Sequence, residues 1–154
     1  MKKFRHVAVL AVMLLVSAFA DICAQTPEKL VEMVRSHAED SSVKVSYKME
    51  MRADGSLTKD SGMLLAQDEM WHLKGGFIEI YTDGKATWVM DPDSKEVVVE
   101  PAWDYTDLIT FYNSLIKTGA VLDIQIVSLQ TADKRPKAEF APSFGSDWVV
   151  TDLR

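Results

Sequence analysis

The chain has 154 residues, 47% of them hydrophobic, with 17 basic and 23 acidic side chains and a net charge of −6. That hydrophobic share suits one packed globular core. An acid excess without any Lys/Arg cluster excludes a nucleic-acid binder, whose phosphates call for basic stripes, and steady adhesion to an anionic membrane surface.

The first element is a leader. Met1-Lys-Lys-Phe-Arg5 is basic, and Val7 to Ala20 is apolar and uncharged. A short basic start followed by an apolar run of roughly 7–15 residues is the anatomy of a secretory signal peptide. The run is short of the ~20 residues a membrane-spanning helix needs. Cleavage is expected after Ala24 in preference to Ala20, giving a signal peptide over 1–24 and a single exported domain over 25–154. A lipidated cysteine normally follows a small residue, but Ile22 precedes Cys23, so Cys23 is expected to leave with the signal. The remaining chain then has no cysteine, and its stability rests on packing rather than on disulfides. Removal takes Lys2, Lys3, Arg5 and Asp21, leaving 14 basic and 22 acidic residues and a charge of −8.

A short helix follows. Thr26 is a good N-cap, Pro27 fits the first helical position, and Glu28 suits the positive end of the dipole. Leu30, Met33, Val34 and His37 recur at i, i+3, i+4 and i+7, which predicts one apolar stripe with His37 at the core edge. Next, Val43, Val45, Tyr47, Met49 and Met51 alternate with Lys44, Ser46, Lys48, Glu50 and Arg52. Alternation this strict predicts a strand with one face on apolar material and one in water. Further strands are expected at 58–66, 69–74, 77–82, 86–91 and 95–99, punctuated by Asp54-Gly55, Gly75-Gly76, Asp83-Gly84 and Asp91-Pro92-Asp93-Ser94. The Asp-Gly and Gly-Gly pairs supply the positive φ of tight hairpins, so the strands should form an antiparallel meander. Asp104 then caps a helix with Tyr105, Leu108, Phe111, Tyr112, Leu115 and Ile116 on one side, ended by Gly119. Val121 to Leu129 returns to strand, Thr131 to Lys137 reads as a polar loop, and Phe140 and Trp148-Val-Val150 read as final strands.

No chemistry is visible along this chain. Asp91, Asp93 and Glu96 make an acidic turn, but a calcium loop needs more oxygens and its glycine, so no metal site is expected. His37 and His72 have no serine or acid beside them in a recognisable motif, and Asp123 and Asp133 lack a phosphate-cradling context. No catalytic residue and no cofactor are assigned.

Gly62-Met-Leu-Leu65, Met70-Trp-His-Leu73 and Ile80-Tyr-Thr-Asp-Gly-Lys-Ala-Thr-Trp-Val-Met-Asp-Pro92 followed by Glu96-Val-Val-Val99 carry a resemblance. Together they resemble the periplasmic outer-membrane lipoprotein carrier family (LolA-like) across residues 26–101, and the remainder more loosely, including the ending Trp148-Val-Val-Thr-Asp-Leu-Arg154. The resemblance implies an α+β fold: a strongly curved antiparallel sheet, an incomplete barrel, with an N-terminal helix and an inserted helical segment covering its concave apolar face. It also implies a non-enzymatic periplasmic chaperone, a monomer that holds the acyl chains of lipoproteins or a similar lipid. Cargo would pass from an inner-membrane donor to an outer-membrane acceptor.

On the alternation, the residues facing that concavity would be Val45, Tyr47, Met49, Met51, Trp71, Leu73, Ile78, Ile80, Trp88 and Met90. The lid would present Leu30, Met33 and Val34 from the first helix and Leu108, Phe111, Tyr112 and Leu115 from the second. The mature methionines (Met33, Met49, Met51, Met63, Met70 and Met90) suit either irregular apolar guests or an ordinary core. The resemblance also implies an arginine that latches the lid before the aromatic-containing strand. Leu65-Ala-Gln-Asp-Glu69 holds no arginine there, which leaves Gln67 or Asp68 as substitutes or as plain turn residues. The 103–119 segment is therefore the expected moving part. A sensor or interaction module on the same fold is the competing class; no second domain is read within 25–154, so the carrier leads.

Overall fold

In the computed structural model the described residues are 26–75, 78–117 and 121–154; the expected signal peptide over 1–24 and the expected helix end at Gly119 lie outside them. Helix α1 spans Pro27–Ala38, and the Thr26 hydroxyl accepts the Lys29 amide at 3.4 Å. Its buried side is Leu30, Val31, Val34 and Ala38, with Met33 half-buried. This stripe runs i, i+1, i+4, i+8 and so turns away from His37, which is exposed rather than at the core edge.

The strands follow as a meander: β1 (Ser42–Ala53), β2 (Ser56–Gln67), β3 (Met70–Gly75), β4 (Ile78–Thr82), β5 (Ala86–Asp91) and β6 (Glu96–Pro101). Asp54 and Gly55 both adopt positive φ, 50° and 77°, and Gly84 sits at 82°. The Asp83 carboxylate accepts the amides of Lys85 and Ala86, and Asp91 accepts those of Asp93 and Ser94. These carboxylates are spent on turn geometry.

Helix α2 spans Tyr105–Lys117, β7 spans Val121–Ala132 and β8 spans Val149–Asp152. Strand β7 returns to pair antiparallel with β1, and β8 lies parallel to β6, giving one open sheet in the order β7-β1-β2-β3-β4-β5-β6-β8. The fold is α+β, and the sheet is not closed into a barrel. Phe140, expected in a strand, is the last residue of a 3-10 turn over Lys137–Phe140 and is fully buried. Trp148 likewise precedes β8 rather than belonging to it.

Because side chains alternate, the register sorts every strand residue onto one of two faces. One face holds the rows Val43–Ala66–Trp71–Thr82–Thr87 and Val45–Leu64–Leu73–Ile80–Val89. Most of these apolar residues share a single buried cluster with Leu30, Val31 and Val34 of α1 and Tyr105, Leu108 and Tyr112 of α2. The other face holds the row Lys44–Leu65–His72–Tyr81–Trp88–Val99. There Phe140 packs with Leu65 and Met70, while Phe144 and Trp148 pack on Ala86, Met90, Val97 and Val99. The C-terminal segment thus lines the face that the helices do not.

Candidate functional site

The layer between helices and sheet gathers most of the residues the alternation singled out. Val45, Trp71 and Ile80 are fully buried there, Tyr47 and Leu73 nearly so, and Met49 and Ile78 pack at its margin. Met51 is half-buried and outside the cluster. Leu30, Val34, Leu108 and Tyr112 enter the same layer, with Met33 and Phe111 partly buried against it; the side chain of Leu115 lies outside the described part.

Trp88 and Met90 do not belong with them. Ile80 pairs with Val89 and Thr82 with Thr87, so Thr87 and Val89 face the helices while Ala86, Trp88 and Met90 face the C-terminal segment. The run Ala86-Thr-Trp-Val-Met90 carries apolar residues in both phases, and the larger side chains lie on the opposite face from Ile80.

Tyr47 reaches across its neighbours because two glycines leave room. In the register Tyr47–Gly62–Gly75, a methyl on Gly62 would fall on the Tyr47 ring, and one on Gly75 would sit 2.8 Å from the Tyr47 hydroxyl. Burial pushes the phenols of Tyr47 and of Tyr112 on α2 above their ordinary range. Trp71 is wholly buried in the same layer, and its indole Nε1 has no hydrogen-bond partner among the described residues.

The β2–β3 turn ties the layer together. The Asp68 amide donates to the Ala38 carbonyl at 2.7 Å, and the Asp68 carbonyl accepts from the Tyr105 hydroxyl at 2.9 Å. Its carboxylate pairs with Lys134 at 2.7 Å. Gln67, 3% exposed, accepts the Arg135 amide at 2.6 Å and donates to the Arg135 carbonyl at 3.2 Å. One turn therefore holds α1, α2 and the C-terminal segment. At the base of α2, the Trp103 amide donates to the Thr87 hydroxyl and its indole donates to Glu100, each at 2.8 Å.

On the opposite face is a polar cluster that sequence reasoning missed. His72 Nε2 and the Tyr81 hydroxyl converge on Glu79 Oε1 at 2.8 and 2.7 Å, and the imidazole stacks on the Tyr81 ring at 3.8 Å. The signal was the register itself. Tyr81 lies directly across from His72, and Glu79 stands two residues away on the same face.

Burial pushes the His72 imidazole below the ordinary histidine range, outweighing the raising effect of Glu79; Lys74 adds to the lowering. Burial also works to raise Glu79, but the bonds from Tyr81 and His72 hold its carboxyl below the usual range. A histidine whose folded value is depressed binds its proton better in the unfolded chain. Its contribution is whole above the unfolded value near 6.5 and is lost as pH falls from there toward the lower folded value. Glu79 adds a second loss at lower pH, below 4.5. Denaturant midpoints are therefore expected to fall between about pH 7 and pH 5, with His72→Gln flattening that decline. An unchanged decline in His72→Gln would assign it elsewhere.

No family model matches the chain, and no curated protein matches it. Among the described residues no group of His, Cys, Asp or Glu is placed to hold a metal, and no helix is long and apolar enough to cross a membrane.

Proposed function

We propose that the chain is a periplasmic carrier that takes lipoprotein acyl chains, or a similar lipid, between its helices and its sheet for delivery to the outer membrane. In this reading the sheet is strongly curved, α1 and α2 cover its concave face, and α2 is the part that opens. The curvature is supported by the irregularity at Ser46/Tyr47 between β1 and β7 and by the facing pair Gly62 and Gly75, since bulges and strand glycines mark bends.

The observation that carries the proposal is how α2 is held. Apolar side chains, Tyr112 beside Tyr47 among them, and the Tyr105 hydroxyl on the Asp68 carbonyl join it to the sheet; among the described residues no ion pair does. That hydrogen bond is worth about 0.5–1.5 kcal/mol net, so the attachment is reversible without global unfolding. An acyl chain entering the layer would replace one set of apolar contacts by another, which asks for no specific polar partner. Asp68 then stands where the family's arginine latch would act, using its backbone carbonyl.

Hydrogen exchange tests this. Residues 105–117 should exchange faster than β1, slow on adding a triacylated peptide, and speed up by roughly 2- to 10-fold in Tyr105→Phe. Native mass spectrometry of protein purified from periplasm should show bound lipid or lipopeptide. Uniform protection indifferent to lipid, with no co-purified lipid, would end the carrier reading.

A further inference from the structure

The face turned away from both helices carries a concavity of its own. Lys44, Leu65, His72 and Tyr81 stand in one row across β1 to β4, and Arg135 and Glu139 of the C-terminal segment wall the space above them. Its volume, about 430 Å³, falls in the range of roughly 300–1,000 Å³ typical of small-molecule sites.

The charges around it are unequal. Glu79 beside the row accepts from His72 and Tyr81, both on Oε1. Glu139 is taken by Arg135 at 2.9 Å. Arg135 keeps further guanidinium N–H groups beyond the one on Glu139. Lys44 is half-buried and has no ion-pair partner among the described residues. Both acids near the cavity thus have one oxygen engaged by neighbouring donors, while the two cations retain N–H groups for a ligand. The floor beside them is Met63 and Leu65, the latter 5% exposed. A ligand that fits must present one negative group to the cations and a short apolar body to the floor.

We propose that this concavity is a binding site for small amphiphilic carboxylates, with Lys44 and Arg135 taking the carboxylate and Met63 and Leu65 the apolar body. The site is independent of the helix–sheet layer and stands whether or not that layer carries lipid.

Methionine methyl spectra of the full chain separate the two places, because Met63 lines the outer concavity while Met33 and Met49 pack on the helix–sheet cluster. On titration with octanoate the Met63 methyl should shift with Met33 and Met49 still. n-Octanol and octylamine should bind at least about tenfold more weakly, since neither offers an anionic acceptor to the two cations. Lys44→Gln and Arg135→Gln should each weaken octanoate at least about tenfold, with Lys44→Arg close to the parent. Shifts confined to Met33 or Met49, octylamine binding as well as octanoate, or wild-type affinity in both glutamine variants would overturn the proposal.

Discussion

Trp71→Ala will lower the stability of the folded chain by about 3–5 kcal/mol, read from denaturant unfolding. Trp71 is the largest of the fully buried side chains, and its row neighbours Ala66 and Thr82 are too short to fill the space it leaves. Trp71→Phe is the informative partner. It keeps most of the volume and removes a buried donor that has no partner among the described residues, so its cost should stay under about 1.5 kcal/mol. If the layer takes lipid, that indole N–H is a donor available to an ester carbonyl of the cargo. Trp71→Phe should then bind triacylated peptide more weakly at nearly unchanged stability. A loss below about 1 kcal/mol in Trp71→Ala would show that the layer collapses around the deletion and is not packed as described.

Gly62→Ala is the second large effect, and here the cause is crowding. The added methyl would meet the Tyr47 ring and lie 2.7 Å from the Lys74 carbonyl oxygen, which is backbone in the adjoining strand. The carbonyl cannot retreat without disturbing the β2–β3 ladder, and the ring is held in a buried layer, so a loss of about 1–3 kcal/mol is expected. A double-mutant cycle with Tyr47→Ala isolates the ring's share. Part of the Gly62→Ala penalty should vanish when the ring is absent, leaving the carbonyl contact. Strict additivity would mean that Tyr47 does not occupy the slot.

The elements were legible because each carries its own local signal. The β5 span expected at 86–91 is Ala86–Asp91, bounded by an Asp-Gly turn and an Asp-Pro turn. The β1 alternation and the Thr26-Pro27 start also lie in the amino-acid order itself. What could not be read there is what depends on pairing. The faces of Trp88 and Met90 are decided by the partners of β4, and five consecutive residues that are mostly apolar do not announce their phase. His37 failed for a related reason: a stripe can be drawn through it at helical spacing, but Val31 and Ala38 fill the core instead. Phe140 signals burial without signalling a strand, and a 3-10 turn buries it equally well. The His72–Glu79–Tyr81 cluster and the double use of Asp68 join residues whose neighbourhood exists only once hairpins form.

The return of β7 to β1 bears on the order in which the molecule assembles. Strands β1 to β6 can zip hairpin by hairpin, each closing a short loop. Strand β7 finds its partner only after everything from β2 through α2 has been placed, a closure of much higher chain entropy. The outer edge of β1 therefore stays unpaired longest, with its alternating apolar side chains and open amides available to any other extended chain. Refolding should be limited by capture of β7, and aggregation should compete at that step in proportion to protein concentration.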